Sequence, residues 1–306
     1  MDAADLEEGG AAMTSTALLS SVDGNSQWLD GGAMFGNAAR PVWEKWLPPD
    51  AANRIQLATR AMLVEYGGLK ILCEAGIGTC FDPKLAERYG VGDYGRHRLL
   101  ESLTALGVAE IEIDYVILSH LHFDHAGGLL PPHSEIVAGK DRLLFPKARY
   151  IVGEEALARA RAPHARDRAS FLPGLVEKLD ASGRMIVVGG DRIPGVLEDR
   201  LSFFFSSGHT PGQMHTIFRG DRSKAFFAGD LIPGRAWVHL PVTMGYDRFA
   251  EKLIDEKHAV YDRAVPEGWL VFFTHDPAIC ASNVERDDAG RFRSAKPVER
   301  LAHTPF

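Results

Sequence analysis

The sequence predicts a mixed α/β protein rich in sheet. Three observations carry this: short apolar runs dense in β-branched and aromatic residues, Gly and Pro punctuation between them, and helical period confined to a few separated blocks. In chain order the strand candidates are residues 57–66, 69–74, 113–119, 148–152, 185–189, 201–206, 214–218, 224–228 and 269–274. Runs such as Leu201-Ser202-Phe203-Phe204-Phe205 and Met185-Ile186-Val187-Val188 suit a pleated, half-buried surface. Helices are predicted over 97–106, 153–162, 173–181 and 247–264; in the last, Phe249, Leu253, Val260 and Tyr261 fall roughly on one face and would cover a sheet. Residues 1–26, acidic at the start and made largely of small residues, read as a flexible tail. That leaves 27–306 as a single domain, without a linker or an internal repeat.

Composition narrows the function classes. With 34 Lys and Arg against 41 Asp and Glu, the net charge of −7 and the lack of long basic runs disfavour a nucleic-acid partner. The 3 cysteines are odd in number and irregularly spaced, which fits neither a disulfide framework nor a zinc ribbon and suggests a reducing compartment. The N-terminus lacks the basic start and unbroken apolar stretch of a signal peptide, and no run is long enough for a membrane span. A cytoplasmic location with no membrane partner is therefore expected.

The chemistry concentrates at predicted strand ends. The strand over 113–119 runs directly into His120-Leu121-His122-Phe123-Asp124-His125-Ala126-Gly127-Gly128, a cluster of His and Asp that neutral imidazole and carboxylate chemistry suits to zinc. Packing three imidazoles and a carboxylate together without a cation would leave polar groups and a charge uncompensated, at several kcal/mol. Further along, Gly208-His209-Thr210-Pro211-Gly212 follows the strand over 201–206, and Gly229-Asp230 and Thr274-His275-Asp276 follow two more. Several strands thus end in a residue that can bind metal, as expected of a site built on loops at one sheet edge.

The ordered set HLHFDH, GHTPG, GD and THD resembles the metallo-beta-lactamase fold hydrolases, over nearly the whole chain from about residue 29 to residue 300. The resemblance implies a four-layer αβ/βα sandwich with helices on the outer faces and two metals at one edge. It also implies the ligand sets: His120, His122 and His209 for one metal, Asp124, His125 and His275 for the other, and Asp230 bridging them. Two divalent ions are implied, zinc first, with iron or manganese as alternatives. The implied activity is hydrolysis by a metal-bridging hydroxide, with Asp124 as the catalytic proton shuttle. Glu74, where relatives usually carry Asp, would orient a metal-binding histidine.

Asp30-Gly31-Gly32-Ala33-Met34-Phe35-Gly36, Pro41-Val42-Trp43-Glu44-Lys45-Trp46 and Phe145-Pro146-Lys147-Ala148-Arg149-Tyr150 are similar to the quorum-quenching N-acyl-homoserine lactonase and organophosphate hydrolase branch. The expected substrate is accordingly a small ester or lactone. Met34, Phe35 and Trp237 are candidates for substrate contact, with Trp43 and Trp46 as further groove residues. The well-known lactonases carry a Tyr three residues after the bridging Asp, where this chain has Pro233; Tyr246 and His239 are candidate replacements. Arg166-Asp167-Arg168 reads as a solvated charged cluster, with carboxylate or phosphate capture by Arg168 as a minor alternative. Rival activities are a phosphotriesterase and a glyoxalase-type thioester hydrolase, the latter disfavoured because no cationic patch for glutathione is visible in the sequence. The non-enzyme alternative is a metal-binding scaffold. A homodimer is a further expectation, drawn from the apolar, Trp-bearing N-terminal segment.

Overall fold

In the computed structural model, residues 16–306 are described. Among the described residues fifteen strands form: β1 (Leu18–Val22), β2 (Gln27–Asp30), β3 (Arg54–Leu57), β4 (Ala61–Tyr66), β5 (Leu69–Cys73), β6 (Tyr115–Leu118), β7 (Arg149–Gly153), β8 (Met185–Val188), β9 (Leu201–Ser206), β10 (Gln213–Arg219), β11 (Lys224–Phe227), β12 (Leu270–Phe272), β13 (Ala281–Arg286), β14 (Phe292–Val298) and β15 (Thr304–Pro305). One sheet has the order β15-β1-β4-β5-β6-β7-β8, a second β14-β13-β12-β11-β10-β9, and β2 pairs with β3 in a small ribbon. In the first sheet β5 through β8 run parallel; in the second only β11 and β12 do.

Alternation along the strands sets the layers. Leu19, Met62, Val64, Ile71, Ile117 and Ile151 of the first sheet meet Phe203, Met214, Phe218, Phe227 and Phe272 of the second in the central core. The opposite faces go to helices. Leu63, Leu72, Val116, Leu118 and Val152 pack with Leu99, Leu103, Leu157, Leu175 and Leu179, which belong to helices Arg98–Ala105, Glu154–Arg161 and Leu175–Ala181. On the other side, Ile217, Phe226, Val271 and Val284 pack against Leu253, Val260, Tyr261 and Ala264 of helix Ala250–Glu267. The result is helix, sheet, sheet, helix, the four layers expected. No helix among the described residues is long and apolar enough to cross a membrane.

Several expectations need correction. Residues 1–15 of the expected tail lie outside the described residues, but Leu18–Val22 is no tail. It is β1, pairing with β4 along its length and with β15 at its start. The strand expected over 57–66 is split between β3 and β4, because at residues 58–60 the backbone turns to the other half of the sandwich. There Ala58 N donates to His275 O at 3.1 Å and Arg60 N to Thr274 O at 2.9 Å. Phe249 is the N-cap of its helix and is 55% exposed, so it does not share the buried face with Leu253, Val260 and Tyr261.

Candidate metal centre

The ligand-type side chains converge where β6, β11 and β12 end. Beyond β6 the chain enters a single helical turn, Phe123–Ala126, which lifts Asp124 and His125 above His120 and His122. The turn presses on the loop after β5: a Cβ on Gly127 would stand 2.2 Å from Ile77 O, and one on Gly128 2.0 Å from Ala75 O. Only glycine permits that approach. His209 lies in the β9–β10 loop, where the Ser207 and Gly208 amides donate to the Glu256 carboxylate at 2.8 and 2.9 Å. Asp230 follows Gly229, whose φ of +46° turns the chain at the end of β11. His275 follows β12, its amide donating to Pro233 O at 2.8 Å.

Three donor groups result, each with atoms within 4.8 Å of one another: His120, His122 and His209; His120, His125 and Asp230; and Asp124, His125 and His275. Asp230 joins the sets, with Oδ2 3.1 Å from His209 Nε2 and Oδ1 3.2 Å from His125 Nε2 and 3.1 Å from His275 Nε2. His120 Nε2, His125 Nε2 and Asp230 Oδ1 are buried without a hydrogen-bond partner. Ring nitrogens and a carboxylate turned on one another in this way fit bound cations. All the donors except Asp124 are buried. The residues present thus fit the two divalent ions.

Behind the donors stands a set of orienting groups. Ser119 Oγ lies 2.9 Å from His120 Nδ1, Asp247 Oδ1 2.9 Å from His209 Nδ1, and Ala58 O 2.7 Å from His275 Nδ1. Glu74 Oε1 accepts from Ser119 N at 2.7 Å, and its Oε2 lies 3.3 Å from His125 Nδ1. Each contact leaves the opposite ring nitrogen of its histidine free to face the centre. His122 is steadied differently, edge-on to the Phe171 ring with centroids 5.0 Å apart.

The electrostatics divide the site. Burial, reinforced by the neighbouring imidazoles, holds His120 and His122 well below the usual histidine range. Burial also opposes a charge on His125 and His275, but Asp230 and Asp124 outweigh it and raise both. Against its own burial, Asp230 is kept well below the carboxylate range by His125, His209 and His275. The Asp124 and Asp230 side therefore calls for positive charge.

The centre opens into a cavity of about 230 Å³ walled by Leu29, Met34, Leu57, Tyr89, Phe123 and Met244, with Arg166, Tyr246 and Arg248 on its sides. Of the candidate substrate residues, Met34 and Tyr246 line this cavity. Phe35 and Trp237 do not: Phe35 stacks at 5.4 Å on Trp43 and 4.6 Å on Trp237 in a buried aromatic cluster behind the wall. Trp237 is fixed there by Nε1 donating to Met34 O at 2.9 Å. His239 stacks on Trp46 at 5.1 Å and faces a different cavity, with Arg235 and Asp276. Stacking consumed the rings that sequence reading assigned to substrate, and Met34 is held in the wall by them. Arg168 lies in another cavity as well. Sequence reading missed Asp247, Arg248 and Tyr89. Asp247 and Arg248 directly follow Tyr246, Tyr89 lies far from them in the chain, and no local pattern marks any of the three.

Comparison with known proteins agrees with this architecture. The family described as the Metallo-beta-lactamase superfamily matches residues 55–275. A metallo-beta-lactamase fold-containing protein, ST1585, of Sulfurisphaera tokodaii is 27% identical over 150 residues, which span 46% of this chain and only 55% of that relative. The crystal structure of a probable metal-dependent hydrolase from Staphylococcus aureus superposes with a TM-score of 0.82 at 25% identity, covering 94% of this chain and 98% of that one. AidC, a dizinc quorum-quenching lactonase solved with a product, superposes at 0.68 with 18% identity, covering 91% and 94%. With the family match spanning most of the chain and the donor sets converging at one sheet edge, this chain belongs to the metallo-beta-lactamase superfamily.

Proposed function

We propose that the chain is a dinuclear metal-dependent hydrolase that opens lactones or closely related small esters, with N-acyl-homoserine lactones among the candidates. The observation that carries this reading is Asp230, standing 3.1 Å from His209 Nε2 through one oxygen and 3.2 and 3.1 Å from His125 and His275 Nε2 through the other, beside a largely apolar cavity. The likeness to AidC supports the substrate class. Zinc first, or iron or manganese, would be held by His120, His122 and His209 and by Asp124, His125 and His275, with Asp230 between. Bound there, a metal pair supplies an activated water and polarises the scissile carbonyl.

The remaining roles fall to the chain. Asp124, its side chain 14% exposed against 7% for Asp230, is the more open of the two donor carboxylates lining the cavity, and Oδ2 stands 3.6 Å from His275 Nε2. That carboxylate can pass a proton to the departing alkoxide oxygen. Tyr246, which lines the cavity, is our candidate for the role left open at Pro233: burial, then Asp124 and Asp30, push its phenol up, and a protonated phenol can donate to the substrate carbonyl. Met34, Leu57 and Met244 exclude water from the ester carbon chain.

The test is turnover by the zinc-loaded protein of acyl-homoserine lactones of graded chain length, simple γ-lactones, a phosphotriester and a glutathione thioester. The expected result is the highest kcat/KM on a lactone. Turnover confined to the phosphotriester or the thioester would overturn the reading.

A further inference from the structure

The wall facing the metal centre carries charge that the mechanism above does not use. Arg248 lines the cavity with its side chain only 8% exposed, and its Nε and Nη1 are buried without a hydrogen-bond partner. Its neighbours do not satisfy it, although Asp167 Oδ1 is also buried without a partner. Asp167 accepts Arg159 Nε at 2.9 Å and Nη2 at 2.8 Å, leaving Arg248 Nε 3.7 Å from the same Oδ2. Asp247 is committed to His209 Nδ1 and the Met244 amide, and Glu256 to the Ser207 and Gly208 amides. Arg166, at the rim of the same cavity, donates Nη2 to Gly245 O at 2.8 Å. Two guanidinium groups, those of Arg159 and Arg248, thus share one buried carboxylate, with a third, Arg166, at the same cavity. Burial lowers the Arg248 pKa, and Arg166 and Arg159 lower it further, against the pull of Asp167. A buried guanidinium in this condition is short of an anion.

We propose that Arg248, assisted by Arg166, anchors a carboxylate on the substrate, so that the preferred ester or lactone is a small anion with its scissile carbonyl at the metal centre and its carboxylate on this wall. The inference rests on the hydrolase reading and refines its substrate class. One cavity of about 230 Å³ contains both the metal donors and the guanidinium, so a single small molecule reaches both. A planar carboxylate matches the guanidinium fork and supplies the missing acceptors. Sequence reading singled out Arg166-Asp167-Arg168 but not Arg248, which comes from a distant segment.

The experiment uses the zinc-loaded protein and a matched pair of lactones: 5-oxotetrahydrofuran-2-carboxylate and its neutral carboxamide. The expected result is a roughly tenfold or greater preference in kcat/KM for the acid, expressed in KM. Arg248→Gln should collapse that ratio toward one, and Arg248→Lys should restore part of it. A merely structural role would lower both substrates together and leave the ratio standing. Lactone opening without preference for the acid would overturn the anchor and leave the hydrolase reading intact. If neither lactone opens, lactonase activity on this pair fails and the anchor is judged by calorimetry with glutaramate. Binding at least tenfold weaker in Arg248→Gln, partly recovered in Arg248→Lys, upholds it, and anything less overturns it.

Discussion

Asp247 is the clearest place to perturb the support of the centre without touching a donor. Its carboxylate, 1% exposed, accepts from His209 Nδ1 at 2.9 Å and from the Met244 amide at 2.6 Å. One side chain thus fixes a donor imidazole and the loop that forms a cavity wall. Asp247→Ala strands two buried donors, each costing about 1–3 kcal/mol, so a loss of roughly 3 kcal/mol in unfolding free energy is expected. Asp247→Asn keeps one acceptor but presents an amide donor to the other N–H, for a loss of about 2 kcal/mol. The freed His209 ring can also take the wrong tautomer, which should lower zinc affinity about 10- to 100-fold. Urea unfolding of the metal-free protein and zinc competition against a chromophoric chelator read the two effects separately. Unchanged zinc affinity in both variants would refute the orienting role, and a stability change below about 1 kcal/mol in Asp247→Ala would refute the energetic argument.

Two further outcomes follow from the same packing. Gly128→Ala places a Cβ 2.0 Å from Ala75 O, a backbone atom that cannot swing away, and should cost several kcal/mol or abolish soluble expression; a melting temperature within a few degrees of wild type would show that the loop after β5 yields. Lys257, whose Nζ donates to the carbonyls of His239, Leu240 and Val242, is pushed by burial from 10.5 down to about 7. Between those values the unfolded chain holds the proton and the folded chain does not, so this group's contribution to stability rises as pH rises. The stability of wild type minus that of Lys257→Met should therefore climb between pH 7 and 9, by at most about 1.4 kcal/mol per pH unit. A flat or falling difference in urea titrations would contradict it.

The donor set was legible in the sequence because each member sits just past a short apolar strand, and strands are local. Pro233 was legible too, as a departure from the lactonase pattern, and Tyr246 lines the cavity. What escaped was long-range or depended on what stacks on what. β1 looked like tail because its partners β4 and β15 lie far along the chain, with the Leu301 amide donating to Ser21 Oγ across 280 residues. β14 has an exposed edge and mixed polarity, and shows no alternation to read. Phe35 and Trp237 carried the right chemistry for an acyl groove, yet ring stacking buried them behind Met34. Arg248, in a polar stretch, resembled any solvated charge until the fold set it in a dry wall.

Metal content of the purified protein, measured by plasma emission beside lactone turnover in wild type and Asp230→Asn, bears most directly on the dinuclear centre. Two ions per wild-type chain are predicted, with occupancy and hydrolysis falling together when the shared carboxylate is lost. Full activity at one ion per chain, or two ions and undiminished turnover in Asp230→Asn, would contradict it.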